Sequence, residues 1–99
     1  MNLSIDIDKE QIAAFCQKHH LTKLALFGSV LTERFGPDSD VDVLFEYDPE
    51  YIPSLFVVTR MERELSEILG RKADMRTSQD LSRHFREDVV QNAVVQYVA

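Results

Sequence analysis

Residues 24–29, LALFGS, end one apolar run in a turn of small residues, and residues 40–45, DVDVLF, open the next run with two carboxylates. In an extended strand, side chains two positions apart project from the same face. Asp40 and Asp42 should therefore lie side by side, with their Cα atoms about 7 Å apart. Val41 and Val43 point the other way. The pattern predicts a strand with one buried face and one charged face.

The chemistry of the acidic pair indicates a cation. Two adjacent carboxylates repel each other, and one of them would keep its proton unless a positive charge neutralised the pair. Mg²⁺ prefers hard oxygen ligands, uses one or two carboxylates, and leaves its other positions to water and phosphate oxygens. Gly28 would let the backbone approach a phosphate closely, and Ser29 would offer a hydroxyl and an amide at a predicted helix N-terminus. Together these residues predict a nucleotide and magnesium site.

Simpler interpretations apply to parts of this region. Asp38 and Ser39 follow Pro37 and have the composition of an ordinary turn. A Gly-Ser pair alone is also a frequent turn dipeptide. Asp42 is different, because aspartate is depleted in strand interiors and this one lies inside an otherwise apolar run. The combination of turn and paired acids favours a site.

A third carboxylate, Asp74, lies in the short alternating stretch KADMR, residues 72–76. This alternation is typical of a half-buried strand. On such a strand Asp74 shares a face with Lys72 and Arg76. Two interpretations stay open from the residues alone: a third acid of the same site, or a member of a surface ion pair.

The rest of the chain predicts an alternation of helices and strands. Asp8 and Gln11 resemble a capping box that starts a first helix ending near His20. The later predicted elements are a strand from Lys23 to Phe27, a short helical piece from Val30 to Phe35, a strand from Val41 to Tyr47, a helix with Pro53 in its first turn and Gly70 at its end, a strand holding Asp74, and a final helix from Ser82 to Val95. The expected fold is α/β or α+β, a single domain over residues 1–99. It should have a small mixed β-sheet, helices packed on one face, and the acidic face open.

The apolar tail, residues 93–99, carries more apolar surface than a chain end needs. It could pack on a partner or on a second copy of the chain, which would make a homo-oligomer. It could equally cover the chain's own core.

Charge and composition restrict the partners. The chain has 99 residues and a formal net charge of −6, which argues against direct binding of a nucleic acid. A basic protein would be steered toward it, although the charge is more simply explained by solubility. Cys16 is the only cysteine and lies on the apolar stripe of the first helix, which predicts a core residue. Without a targeting or membrane-spanning stretch, a cytoplasmic protein is expected.

The residues from Leu26 to Ser29, the run from Ser39 to Leu44 and the later Asp74 resemble the nucleotidyltransferase superfamily, which includes DNA polymerase beta and the aminoglycoside nucleotidyltransferases. The chain is most similar to the minimal nucleotidyltransferase (MNT) proteins, the antitoxin half of bacterial HEPN/MNT toxin-antitoxin pairs. The resemblance covers nearly the whole chain, including residues 53–56 and 81–86.

This resemblance implies roles for individual residues. Gly28 and Ser29 match the nucleotide-binding turn, and Asp40 and Asp42 match catalytic acids that hold a pair of Mg²⁺ ions. Asp74 matches the third catalytic and metal-binding acid, which helps to activate the attacking hydroxyl. The family resemblance implies transfer of AMP from ATP to a hydroxyl on a HEPN-type RNase toxin, with tyrosine as the expected acceptor.

One departure from the family pattern follows the Gly-Ser turn. Many members carry a basic residue there, whereas this chain has Val30-Leu31-Thr32-Glu33, with Arg34 as the nearest cation. A second hypothesis is therefore a non-catalytic antitoxin that binds and masks its toxin. A small-molecule nucleotidyltransferase ranks last, because the chain has no room for an acceptor-binding domain.

Overall fold

The computed structural model describes residues 5–99, which form three helices and four strands. In chain order these are α1 (Lys9–Lys18), β1 (Leu21–Phe27), β2 (Val41–Tyr47), α2 (Leu55–Leu69), β3 (Ala73–Arg76), α3 (Arg86–Asn92) and β4 (Val94–Val98). Single turns of 3-10 helix occupy Gly28–Leu31 and Ser78–Asp80.

The four strands form one mixed sheet in the order β3-β2-β1-β4. β1 pairs antiparallel with both β2 and β4, whereas β2 and β3 are parallel. β2 and β3 can run parallel because α2 connects them and returns the chain to the end of the sheet at which β2 begins. The α+β fold with a small mixed sheet, predicted from the sequence, is confirmed.

The main core lies between one face of the sheet and helices α1 and α2. Alternation along β2 turns Val41, Val43 and Phe45 into this core, where each is almost fully buried. The helices contribute side chains at helical spacing, and these are Ile12, Phe15, Cys16, Met61, Leu65 and Leu69. Because alternate residues of the central strands are buried, the register of these strands is fixed.

The opposite face of the sheet carries a second, smaller apolar cluster. Ala25, Leu44 and Leu81 are buried there, and Val89 and Ala93 pack against them. Through these contacts α3 covers part of the face that also carries the acidic residues. The sequence predicted helices packed on one face and an open acidic face, whereas α3 packs on the acidic face, because Val89 and Ala93 find apolar partners there.

The ends of α1 and α2 follow from local capping. The Asp8 carboxylate accepts hydrogen bonds from the amides of Glu10 and Gln11, both at 3.1 Å, so the predicted helix start is confirmed. The Ser54 hydroxyl caps α2, which places Pro53 just before the helix and not in its first turn. Gly70 ends α2 with a left-handed φ of 71°.

The prediction of a final helix from Ser82 to Val95 is wrong at both ends. α3 covers only Arg86–Asn92, and the tail forms the edge strand β4, where Leu24 of β1 pairs with Tyr97. Valine-rich sequence favours strands, and pairing with β1 satisfies backbone groups that a helix end would leave to water. Tyr97 packs against the main core, so the tail covers its own sheet, while Val98 remains 64% exposed.

The short helical piece predicted from Val30 to Phe35 is also wrong in its bounds. The helical turn starts at Gly28 and stops at Leu31. Both the amide and the hydroxyl of Thr32 donate to the Ser29 carbonyl at 2.9 Å, and Thr32 itself is extended. A threonine that bonds backbone in this way interrupts a helix.

Within residues 5–99, none of the helices has both the length and the apolar character needed to cross a lipid bilayer.

Candidate functional site

Asp42 and Asp74 are direct neighbours across the parallel pair of β2 and β3. Adjacent strands lie about 4.8 Å apart, and paired residues of parallel strands project from the same face. Both side chains are half-buried, on the face opposite to Val41 and Val43. The sequence predicted both strands, but their pairing brings together acids that are far apart in the chain.

Asp40 lies immediately before β2 and is exposed. The loop that leads to it is held by Arg71, whose guanidinium donates to the carbonyls of Gly36, at 2.5 Å, and Ser39, at 2.6 Å. The same guanidinium lies over the Phe35 ring, 4.3 Å from its centroid. Nothing in the sequence identified Arg71, because its partners lie more than thirty positions earlier.

The carboxyl of Asp42 has a raised pKa. Burial is the largest cause, followed by the negative charge of Asp74, with a smaller contribution from Asp40. Arg76 acts in the opposite direction and lowers this pKa. The repulsion that the sequence predicted for Asp40 and Asp42 is therefore present, and Asp74 adds to it.

Gly28 lies directly against the Asp42 carboxylate. It follows Phe27, which pairs with Asp42 between β1 and β2, and it has a left-handed φ of 78°. A Cβ atom built on Gly28 would lie 2.3 Å from Asp42 Oδ2, which is a severe clash. Only glycine fits both the backbone conformation and the space beside this acid. The glycine turn and Asp42 are thus direct neighbours in space.

Asp74 also takes part in an ion pair. Arg76, two residues later on the same face of β3, places Nη2 3.2 Å from Asp74 Oδ2, and its Nε lies 3.3 Å from the same atom. The two interpretations that the sequence left open are thus compatible: Asp74 faces Asp42 and is paired with a surface arginine. The guanidinium supplies a positive charge beside the acids.

The acids fit a magnesium ion by donor chemistry, but they do not form a closed metal cluster. Within residues 5–99, no three side chains of His, Cys, Asp or Glu converge closely enough to hold a metal by themselves. Mg²⁺ does not require this, because one or two carboxylates suffice when phosphate oxygens and water complete its octahedron. The mutual repulsion that raises the Asp42 pKa is the condition that a bound cation relieves.

One open cleft contains Asp74, and a second adjoins the Gly28 turn. The first, of about 520 Å³, lies between the start of α2 and the end of β3 and is lined by Asp74, Arg76 and Leu55. The other, also of about 520 Å³, lies between the Gly28 turn and α3, and its walls include the apolar side chains of Phe27, Leu31 and Val89. The second cleft could not be inferred from the sequence, since it depends on where α3 packs.

Cys16 and the two histidines that follow α1 lie away from these clefts. Cys16 is fully buried, and its burial raises the pKa of the thiol to about 12, in agreement with the predicted core role. His19 ends α1 and contacts Glu64 of α2, and the His20 ring stacks on Tyr51. Among the described residues these histidines are not part of any metal-binding group.

Comparison with known proteins agrees with this geometry. The family model described as "Nucleotidyltransferase domain" matches residues 8–96. The chain belongs to the nucleotidyltransferase domain family. The superfamily resemblance drawn from the Gly-Ser turn and the Asp-x-Asp motif is confirmed. The matched range includes both strands of acids, the Gly28 turn and the first three residues of β4.

Curated relatives of this nucleotidyltransferase domain include archaeal proteins. One candidate protein adenylyltransferase of Methanocaldococcus jannaschii is 27% identical over 92 residues, covering 93% of this chain and 97% of the relative. A second candidate protein adenylyltransferase of the same organism is 35% identical over 66 residues, covering 66% of this chain and 64% of the relative.

Solved structures share the fold of this nucleotidyltransferase domain. A candidate minimal nucleotidyltransferase superposes with a TM-score of 0.70 at 27% identity, covering 87% of this chain and 86% of the other. A toxin-antitoxin structure with AMP-PNP gives a TM-score of 0.73 at 16% identity, covering 94% and 75%. The MntA-HepT toxin-antitoxin structure gives 0.65 at 15% identity, covering 92% and 70%. At 16% and 15% identity, the last two similarities show a shared fold only.

Proposed function

We propose that this protein is a Mg²⁺-dependent protein adenylyltransferase that acts as an antitoxin. It would transfer AMP from ATP to a hydroxyl, that of a tyrosine, on a HEPN-type RNase toxin. The observation that carries this proposal is the contact between Gly28 and the Asp42 carboxylate, with Asp74 as the direct neighbour of Asp42 on β3. A phosphate-binding turn and a pair of acids on one surface are the parts that nucleotidyl transfer requires.

Each residue would have a distinct task. The backbone at Gly28 and Ser29 would receive the triphosphate, and Asp40 and Asp42 would hold Mg²⁺ together with the phosphate oxygens. Asp74 would be the third ligand and would orient the acceptor hydroxyl. When bound, Mg²⁺ lowers the pKa of the attacking hydroxyl and stabilises the leaving pyrophosphate.

The bond changes balance without a further reagent. The acceptor oxygen forms a bond to the α-phosphorus of ATP, and the bond from that phosphorus to the oxygen bridging to the β-phosphate breaks. Pyrophosphate leaves with the electron pair of the broken bond. The hydroxyl proton passes to the Asp74 carboxylate and then to water.

A protein acceptor is supported by the surface around the site. Four large apolar side chains close together in sequence are between 49% and 84% exposed, and these are Tyr51, Ile52, Leu55 and Phe56. We call them the apolar patch. Leu55 also lines the cleft that contains Asp74, so the patch adjoins the acids. Exposed apolar groups next to a site are typical of a protein-binding surface. The named neighbours, protein adenylyltransferases and toxin-antitoxin structures, support the same kind of partner.

The test is transfer of label to the partner. The chain and the product of its neighbouring gene, tested as the candidate toxin, would be purified and incubated with Mg²⁺ and ATP labelled at the α-phosphate. We expect label on the partner with the native chain and with Asp38→Asn, an exposed acid in the same loop. We expect none with Asp42→Asn. Persistent transfer by Asp42→Asn would overturn the assignment.

A second candidate function is neutralisation by masking. One observation favours it: the turn after Ser29 lacks the basic residue that many family members carry there. Dissociation of the complex separates the two functions. A masked toxin regains full RNase activity after the antitoxin is removed under denaturing conditions and the toxin is refolded. An adenylylated toxin remains inactive and is heavier by one or more AMP groups in a mass spectrum.

A further inference from the structure

One wall of the cleft that contains Asp74 is formed by the segment that joins β3 to α3, residues 77–85. Gln79 and Asp80 of this segment line the cleft. Apart from a single 3-10 turn over residues 78–80, the segment has no helix or strand. Its position on the protein therefore depends on individual contacts and not on a ladder of backbone hydrogen bonds.

Arg86, the first residue of α3, reaches back to this segment. Its Nη2 donates to the Leu81 carbonyl at 3.0 Å and lies 3.5 Å from the Gln79 carbonyl. Leu81 is buried in the small cluster on the acidic face of the sheet, against which Val89 of α3 also packs. The guanidinium thus ties the wall of the cleft to a helix that is itself packed on the sheet.

The Nε atom of Arg86 is buried, and it finds no acceptor among residues 5–99. A buried donor without an acceptor is unfavourable, and native proteins contain few of them, so each needs a specific explanation. The contacts of the same guanidinium with two backbone carbonyls of the cleft wall supply one. An apolar side chain of similar length would avoid the buried donor but could not hold these carbonyls.

Arg71 has the same relationship to the other irregular segment beside the acids. It donates to two carbonyls of the loop that precedes Asp40, and Arg86 contacts two carbonyls of the segment that follows Asp74 and the rest of β3. Arginine suits this task because several N–H donors lie in one rigid plane and can reach two acceptors at once. Each irregular segment next to an acid is therefore held by an arginine from outside it.

We propose that Arg86 is a positioning residue for the acceptor: it holds Gln79 and Asp80 in the place where they form the wall of the cleft. The inference rests on the proposed function, in which the acceptor hydroxyl lies beside Asp74. Residues 77–85 do not line the cleft at the Gly28 turn. Loss of Arg86 should therefore weaken productive binding of the acceptor and leave binding of the nucleotide unchanged.

The test is the steady-state kinetics of Arg86→Met, which keeps a long side chain and removes the donors. Rates of AMP transfer to the product of the neighbouring gene would be measured with Mg²⁺, first with the concentration of that protein varied and then with that of ATP varied. We expect the KM for the protein acceptor to rise about tenfold, the usual size of the loss when an interface contact is displaced. The KM for ATP and kcat should stay unchanged.

Two further variants are matched to this one. Arg86→Lys keeps a cationic donor that can bond one carbonyl, so it should recover part of the loss in acceptor KM. Arg83→Met removes an exposed arginine of the same segment and should leave both KM values unchanged.

Amide hydrogen exchange tests the hold on the segment without catalysis. In Arg86→Met the amides of residues 77–82 should exchange faster than in the native chain, whereas those of β1 and β2 should not change. If Arg86→Met does not fold, Gln79→Trp takes its place, because Gln79 is exposed and an indole there narrows the cleft without entering the core. It should raise the KM for the acceptor alone, and Gln91→Trp on the exposed side of α3 should not.

Several results would overturn the role of Arg86 and leave the proposed function standing. These are equal rises in both KM values, a loss of kcat alone, or unchanged exchange of residues 77–82 in Arg86→Met. An unchanged acceptor KM in Gln79→Trp has the same meaning. If the native chain transfers no AMP at all, both proposals fail together.

Discussion

Gly28 and the Asp42 carboxylate are in such close contact that a single added Cβ atom would lie 2.3 Å from Oδ2. This contact couples the phosphate-binding turn to the acid that the proposed chemistry requires. It arises because Phe27 and Asp42 pair between β1 and β2, which brings the end of one strand beside the start of the next. The position of the carboxylate therefore depends on glycine at residue 28.

Gly28→Ala should abolish nucleotide binding and destabilise the fold. Alanine with a left-handed φ costs about 1–2 kcal/mol, and the added methyl group also displaces the Asp42 carboxylate. Thermal unfolding and ATP affinity would be measured together. Gly70→Ala is the matched control, because Gly70 has a φ of 71° and an added Cβ would meet nothing within 4 Å. It should lose stability through strain alone and bind ATP normally; equal loss of binding in both variants would contradict the coupling.

Asp42→Asn should raise the melting temperature at neutral pH while it abolishes transfer. Because the folded-state pKa is raised above the ordinary value of 3.8, the folded protein holds this proton more tightly than the unfolded chain. The ionised carboxylate therefore destabilises the fold above its folded-state pKa, and this penalty vanishes below the unfolded-state pKa. Asparagine removes the charge at every pH.

The measurement for Asp42→Asn is the melting temperature from pH 3 to pH 8, for the native chain and the variant. The difference should favour the variant at pH 7 and shrink toward zero as the pH approaches 3. Asp38→Asn, an exposed acid in the preceding loop, should show no such trend. If the variant is less stable than the native chain at pH 7, the ionised Asp42 carboxylate does not destabilise the fold and the prediction is wrong.

Arg76→Gln should shift the acidic limb of the pH-rate profile for AMP transfer to higher pH. Arg76 lowers the pKa of Asp42, so its removal raises that pKa further and the ionised, metal-binding form appears only at higher pH. The initial rate of label transfer would be recorded from pH 5 to pH 9. Arg83→Gln, which removes an exposed arginine elsewhere, should leave the profile in place. An unmoved acidic limb in Arg76→Gln would show that another group controls it.

Arg71→Met should lower both stability and transfer. The guanidinium bonds two backbone carbonyls, of Gly36 and Ser39, in the loop that precedes Asp40. Hydrogen bonds that involve a charged group contribute about 1.5–3 kcal/mol, and methionine keeps much of the apolar contact with Phe35. Urea unfolding and the rate of transfer would be measured. Arg63→Met, on the exposed side of α2, is the control and should change neither quantity. If Arg71→Met is as stable and as active as the native chain, Arg71 has no role in positioning Asp40.

Phe56→Ser should weaken partner binding without affecting the fold. The Phe56 side chain is 84% exposed in the apolar patch, so the isolated chain gains little from it. Loss of an aromatic anchor at an interface commonly costs tenfold or more in affinity, which is about 1.4 kcal/mol. Affinity for the HEPN-type partner would be measured by calorimetry beside a melting curve. Glu67→Ser, an exposed change later on α2, is the control; unchanged affinity in Phe56→Ser would place the interface elsewhere.

Local patterns in the sequence were sufficient to predict most of the fold. The alternation around Val43, the cap at Asp8 and the stop at Gly70 each act within a few residues, and all three are present in the structure. The tail was predicted wrongly, because a run of valines is compatible with a helix or a strand. Only the presence of β1 as a partner selected the strand.

The sequence by itself determined which residues could form a site: a glycine turn, two acids at strand spacing and a third on a later strand. These follow from backbone conformation and side-chain periodicity, which are local properties. The tertiary structure decided which of them meet. The pairing of β2 with β3 places Asp42 beside Asp74, the pairing of β1 with β2 places Gly28 against Asp42, and the packing of α3 creates the cleft beside them. Such contacts join residues far apart in the chain, and they form only when burial of the shared core outweighs the entropy of closing the intervening loops.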